Sequence, residues 1–261
     1  ELNKQKTYLK IHSKLLLFSE ELEKRWDKDL LWEQWLNKIQ ELRKKYPLPE
    51  TTPYKFIKEL SNEAKEGDII IADTGNTLTW TFQAWKVKKD QILFSALNHS
   101  PMGYSIPAGI GAQFALPNSK VICISGDGGF QMNLQELQTI IGYNLPIKIF
   151  VLNNQGYGAI KQNQQDWEQF LKYGVACEPY MTSLKKIAEG FDNIKYIKIA
   201  GPEDFNKIRM VLNYSGPVIC EVMIPEGTKV QKIKAGDDYD NLTPKINEDE
   251  IKQINKTLKN D

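Results

Sequence analysis

An α/β fold, an open and mostly parallel sheet with helices on both faces, preceded by an amino-terminal helical segment, is the architecture this sequence predicts. Three observations carry that expectation. Short apolar runs rich in β-branched residues recur from residue 69 onward, segments with helical spacing lie between most of them, and several runs break abruptly into glycines, carboxylates and amides. Strands alternating with helices form βαβ units, which build a parallel sheet covered on both sides.

Taken in order, residues 1–45 read as helix, because Leu15, Phe18, Leu22, Trp26 and Leu30 recur at three- and four-residue steps. Trp32, Trp35, Ile39 and Leu42 continue that face, and the spacing makes the tryptophans packing residues. His12 falls on its surface. The stretch "YPLPETTP" then stops the helix with Pro47, Pro49 and Pro53, a stiff linker. Strands are expected at Ile69–Ala72, Val121–Ser125, Ile147–Leu152, Ile194–Ile199 and Pro217–Met223, with a weaker one at Gln91–Phe94. Helices are expected at Pro53–Lys65, Ser105–Ala115, Leu134–Ile141, Leu184–Glu189 and Phe205–Leu212. From Ala235 the chain is polar, with one final helix at Glu248–Leu258. The boundaries that follow are a helical segment over 1–46, an α/β domain over 47–230 and a polar tail over 231–261.

Composition narrows the partners. With 34 basic and 33 acidic residues the net charge is +1, so no global field recommends nucleic acid or an anionic membrane. No apolar run reaches the roughly 18 residues of a membrane span. The chain opens at Glu1 on polar residues, so no signal peptide is read. Cys123, Cys177 and Cys220 form no CxxC pair, and two of them sit in apolar runs as buried thiols would, which suits a reducing, cytoplasmic compartment.

Ligands of open parallel sheets sit beyond the carboxyl ends of the strands. Three predicted strands end in unusual loops: "IIADTGNT", "ICISGDGGFQMN" and "IFVLNNQGYGAI". In the second, Gly126, Gly128 and Gly129 permit a sharp turn and close approach of backbone N–H groups to an anion. The following helix is read as starting at Asn133 with Glu136 three residues on, a capping box whose amino terminus would seat a phosphate. Asp127 would repel that phosphate unless a divalent cation stood between them. Mg²⁺ or Ca²⁺ takes hard oxygen ligands, and asparagine amides supply them without adding charge. A lone "DG" is ordinarily a turn; it is the matched pair of strand ends that points to a site.

The run "GDG", 24 residues, then "NN" resembles the cofactor signature of thiamine diphosphate enzymes. "YPLPETTPYKFIKEL", "PMGYSIPAGIGA", "NNQGYGAIKQNQ" and "GPVICEVMI" are similar, in one continuous order over about residues 46–225, to the carboxyl-terminal domain of the acetolactate synthase branch. The resemblance implies the thiamine diphosphate-binding fold, with Asp127, Asn154 and the main-chain oxygen of Gly156 holding Mg²⁺ against the diphosphate. It aligns Gly75, Asn76 and Thr77 with diphosphate contacts and gives Gly128 and Gly129 the role of backbone donors, beside Gly126. Met102 would bend the cofactor into a V. The carbonyl of Ser100 would hold its amino group, at a position where the family commonly has glycine. Tyr157 would either cover the cofactor or meet the substrate.

The implied chemistry is decarboxylation of a 2-keto acid. Its outcome is either a new carbon–carbon bond or an aldehyde released by protonation. Simple pyruvate decarboxylases carry a glutamate where Lys161 stands, which favours carboligation here. Asn163 stands about where branched-chain synthases have a tryptophan, and the polar "KQNQQDWE" would suit a hydroxylated acceptor. Gln162 and Lys161 either face the substrate or solvate their helix, and His99 is read as a locally satisfied loop residue. The resemblance also implies an activating glutamate on a pyrimidine-binding domain. No segment here offers one, since Glu136 and Glu189 belong to this half's own helices. The expected protein is therefore longer, roughly 500–600 residues in three domains. Its pyrimidine-binding domain would lie in the same chain or in a partner subunit, residues 1–46 would end a middle domain, and the assembly would be a homodimer or homotetramer. A decarboxylase of the same cofactor class, or a non-catalytic binding module, are the competing readings.

Overall fold

The structure is a computed structural model that describes residues 47–166 and 181–231, with positions 37, 39–41, 44 and 249 besides. The tryptophans at 26, 32 and 35, His12, Cys177, most of the amino-terminal helix and most of the expected helix Glu248–Leu258 lie outside the described residues. Two compact units divide the chain, Glu1–Pro47 and Leu48–Asp261, and the second holds the sheet.

The sheet unit runs α1 (Thr52–Glu63), β1 (Ile69–Ala72), α2 (Asn76–Ala84), β2 (Ile92–Phe94), α3 (Ser105–Ala115), β3 (Val121–Gly126), α4 (Asp127–Met132), α5 (Glu136–Gly142), β4 (Lys148–Asn153), α6 (Gly158–Asp166), α7 (Leu184–Glu189), β5 (Lys195–Ile199), α8 (Lys207–Asn213) and β6 (Val218–Met223). The six strands lie in the order β2-β1-β3-β4-β6-β5. Every neighbouring pair is parallel. The α/β expectation holds, and the mostly parallel sheet is wholly parallel.

Alternation along the strands decides which helix covers which face. Ile70, Ile122, Ile124, Phe150, Leu152 and Cys220 point into one core with Tyr54, Phe56 and Leu60 of α1, Trp80 of α2 and Val211 of α8. Ile69, Ile71, Cys123, Ile149 and Val151 point the other way, to Ile106 and Ile110 of α3, Phe130 of α4, Ile140 of α5 and Leu184 of α7. Central strands buried on both faces need continuous apolar runs, which is why "IIIA" reads as it does. β2 is one of the two edge strands, and its Ile92 is exposed accordingly. Cys123 and Cys220 are buried free thiols, pushed well up from the usual thiol range by burial.

One glycine is fixed by packing. A Cβ on Gly109 of α3 would lie 2.3 Å from the Cys123 sulfur. We expect Gly109→Ala to cost roughly 1–3 kcal/mol in urea unfolding, and Cys123→Ala in the same chain to restore most of it. Failure of the second change to rescue would place the cost elsewhere.

Two helices depart from the sequence reading. Residues 76–84 form α2 although "TLTWTFQA" is rich in β-branched and aromatic residues of middling helix propensity. Thr77, Trp80, Thr81 and Ala84 are buried together, so tertiary burial wins over local preference. The expected turn at "GDGG" is helical from Asp127, Asn133 is the residue after α4, and α5 begins at Glu136. The capping box at Asn133 is not formed: its side-chain amide donates to Gly103 O at 2.8 Å instead.

Candidate functional site

β1 and β3 are neighbours whose chains leave to opposite sides, β1 toward β2 and β3 toward β4. Register pairs Ala72 with Ile124 and Gly126 with Leu152, so the carboxyl ends of β1, β3 and β4 finish near one level. This is a topological switch point, where open sheets leave a crevice. A cavity of about 280 Å³ opens there, walled by the segments after β1, β3 and β4 and by Met102. Every residue expected at the site except Ser100 lines it: Gly75, Asn76, Thr77, Met102, Gly126, Asp127, Gly128, Gly129, Asn154, Gly156 and Tyr157. Ser100 is adjacent through its hydroxyl, 2.6 Å from the Thr74 hydroxyl, and holds a left-handed backbone with φ 44°. That conformation gives a physical reason for glycine at such a position.

The two central loops touch. Asp127 is buried; its Oδ1 accepts from Gly128 N at 2.8 Å and its Oδ2 from Gly156 N at 2.9 Å, across from the β4 loop. Burial pushes its carboxyl up to about 6, against the pull of backbone N–H bonds from Gly128 and Gly156. Those donors are neutral dipoles and leave the negative charge uncompensated, which is the setting a cation would relieve. Among the described residues no three His, Cys, Asp or Glu side chains cluster. Two carboxylates line the cavity, Asp127 and Asp73, and the oxygens of Asp73 are taken up by hydrogen bonds within the fold.

Asn153 and Asn154 divide the labour. Asn153 stands outside the cavity lining, its Oδ1 accepting from Gln155 N at 3.0 Å and its Nδ2 donating to Glu221 at 2.6 Å. Asn154 lines the cavity. Its amide lies so close to Gly158 that a Cβ there would meet Nδ2 at 2.2 Å, with Asn76 Nδ2 at 3.1 Å from the same point. The Asn76 amide nitrogen is buried without a hydrogen-bond partner, on a residue that lines the cavity. An orphaned donor and a buried carboxylate in one cavity wall fit an anion and a cation bound together.

The glycines of α4 are needed for space, and the turn expected of them is absent. A Cβ on Gly128 would be 2.4 Å from the Tyr157 ring, and one on Gly129 would be 2.9 Å from Asp73 Oδ1. Tyr157 therefore covers the Gly128 backbone. At Gly75 and Gly103, with φ 71° and 84°, the left-handed backbone itself favours glycine near the cavity.

Asp73 went unremarked in the sequence, and it organises the site. Fully buried, it accepts from Thr74 N and Gly103 N at 2.9 Å, Ser105 N at 3.1 Å, Ser105 Oγ at 2.9 Å and Ser125 Oγ at 3.2 Å. One carboxylate thus ties the end of β1 to β3 and to the loop bearing Met102. The signal available was a carboxylate ending a wholly apolar strand. Gln162 is corrected: it is buried and pairs with the Val230 backbone through both amide atoms at 3.0 Å, neither facing the cavity nor solvating its helix. Lys161 lies 3.5 Å from Glu226, outside the lining. Asn163 and His99 are exposed.

Comparison with known proteins came to the same place. A family model described as "Thiamine pyrophosphate enzyme, C-terminal TPP binding domain" matches residues 73–222. The acetolactate synthase large subunit of Pyropia yezoensis is 35% identical over 202 residues, covering 74% of this chain and 33% of the relative. That of Lactococcus lactis is 31% identical over 205 residues, covering 75% and 35%. The isozyme 1 large subunit of Escherichia coli is 30% identical over 207, covering 76% and 36%. The chain spans about a third of the length of these relatives.

Proposed function

Because the chain belongs to the thiamine pyrophosphate enzymes, as their carboxyl-terminal cofactor-binding domain, we propose that it clamps the diphosphate of thiamine diphosphate through Mg²⁺. Asp127, Asn154 Oδ1 and the main-chain oxygen of Gly156 would hold the ion. Gly75, Asn76, Thr77, Gly128 and Gly129, beside Gly126, would meet the diphosphate, with Ser100, Met102 and Tyr157 around the rings. When bound, the cofactor supplies the electron sink for decarboxylating a 2-keto acid. This chain's residues bind and orient it and keep water from the buried charge.

One observation carries the reading: a buried, uncompensated Asp127 shares its cavity with the unsatisfied Asn76 donor. Calorimetry with thiamine diphosphate on the full-length protein tests it. Heat of binding is expected with Mg²⁺ and not with chelator, and metal-independent binding would sink the proposal. Because a proton and the cation compete for Asp127, cation affinity should hold above pH 6 and fall about tenfold per unit below it. A flat profile between pH 5 and 7 would remove Asp127 from the ligand set.

We read the whole protein as a carboligase, supported by relatives named as acetolactate synthase large subunits. A pyrimidine-binding domain in the same chain or a partner subunit, in a homodimer or homotetramer, would complete it, consistent with the share of the relatives spanned. Domain limits of 1–46, 47–230 and 231–261 belong to the same proposal, as does a cytoplasmic setting, supported by the free Cys123 and Cys220 thiols. Among the described residues no helix is long and apolar enough to cross a membrane. Incubating the full-length protein with pyruvate checks the reaction: acetolactate or acetoin is expected, and acetaldehyde alone would replace carboligation with simple decarboxylation.

A further inference from the structure

We propose that Glu221 and Tyr196, one and two strands beyond β4, are positioning residues that set the cation loop 154–156 through the side chain of Asn153. The inference rests on the reading of that loop as a cation site.

Glu221 sits on β6, 8% exposed, and is used by both oxygens. Oε1 accepts from Asn153 Nδ2 at 2.6 Å, and Oε2 accepts from the Tyr196 hydroxyl of β5. Lys198 Nζ stands 3.9 Å from Oε2, half exposed. Burial and the bond to Glu221 push the Tyr196 phenol up, so it remains a donor. Asn153 ends β4, and its Oδ1 accepts from Gln155 N at 3.0 Å. That bond holds Gln155 at φ 59°, a left-handed conformation a residue with a Cβ rarely takes unaided. The next residue, Gly156, then points its N–H at Asp127 Oδ2 at 2.9 Å.

An amide can flip, and here the flip is forbidden by charge. Reversed, Asn153 would set its oxygen against the Glu221 carboxylate and its NH₂ against the Gln155 N–H. Glu221 therefore fixes the amide's orientation, the amide fixes the turn, and the turn aims the candidate ligands of residues 154 and 156. Such outer partners typically govern metal affinity about tenfold to a hundredfold.

The test uses Mn²⁺ with inorganic pyrophosphate on the full-length protein, bound ion being read by loss of the free-ion paramagnetic resonance signal. Asn153→Asp places two carboxylates together and should raise the Mn²⁺ concentration for half-saturation at least about tenfold. Adding Glu221→Gln reverses donor and acceptor across the same contact: the carboxylate at 153 still accepts from Gln155 N and now accepts from the amide at 221. Half-saturation should return to within about threefold of the parent. An unchanged or tighter site in N153D, a lower melting temperature with unchanged Mn²⁺ binding, or a double variant as weak as the single overturns the inference. Asp127→Asn is run alongside. If it retains Mn²⁺ binding, the cation-site reading itself fails and takes this inference with it; if it abolishes binding while N153D does not weaken it, only the positioning role falls.

Discussion

Asp73→Ala should lower the stability of the sheet unit by on the order of 4 kcal/mol, the largest effect we expect from a single substitution here. Gly103 N, Ser105 N, Ser105 Oγ and Ser125 Oγ all donate to this carboxylate in the interior. Removing it strands them, and each buried donor left without an acceptor costs roughly 1–3 kcal/mol, softened by relaxation and by the relief of a buried charge. Asp73→Asn should fall between, because one acceptor becomes a second donor facing N–H groups. Urea unfolding followed by fluorescence of the buried Trp80 and Trp85 gives the number. A loss below about 1 kcal/mol would show that the donors find other acceptors. With the Met102 loop untied, the alanine variant should also lose cofactor affinity at temperatures where it remains folded.

The same chemical change at Asp127 should have the opposite sign on stability and a larger effect on binding. Its carboxyl is held at about 6 by burial, above an ordinary value of 3.8. A raised acid favours the folded state fully below pH 4 and loses that contribution as pH rises through about 6. At neutral pH the ionised group thus opposes folding by roughly 3 kcal/mol in the absence of a cation. Asp127→Asn is isosteric but keeps an acceptor for only one of Gly128 N and Gly156 N, its NH₂ facing the other. That loss, roughly 1–3 kcal/mol, is offset by removal of the buried charge, so the melting temperature at neutral pH should stay or rise slightly and its fall between pH 4 and 7 should flatten. Mg²⁺-dependent affinity for thiamine diphosphate should drop by about a hundredfold or more, since the one carboxylate of the set is gone. A variant that melts earlier yet binds normally would make Asp127 a structural residue. Two buried aspartates at adjacent strand ends therefore differ in role, because Asp73 is met by five donors while the charge of Asp127 is left for a cation.

The sequence by itself determined the strands, the alternation with helices and the strand ends where chemistry concentrates. Ile69–Ala72, Ser105–Ala115 and Leu184–Glu189 have the bounds their patterns indicate, because burial on one or both faces is written as a period along neighbouring residues. It also marked Gly75, Asp127, Asn154 and others of the residues that line the cavity, though not Asp73. Only the tertiary structure decided that α2 is helical, that the glycines of α4 serve space, that Gln162 is a buried strap to Val230, and that Asn153 and Asn154 do different work. Each of these is set by a partner far along the chain: Trp80 by the core, Gly128 by Tyr157, Gln162 by Val230, Asn153 by Glu221. A pattern between neighbours specifies an element, whereas the duty of a polar side chain depends on which donor or acceptor the fold brings within 3 Å of it.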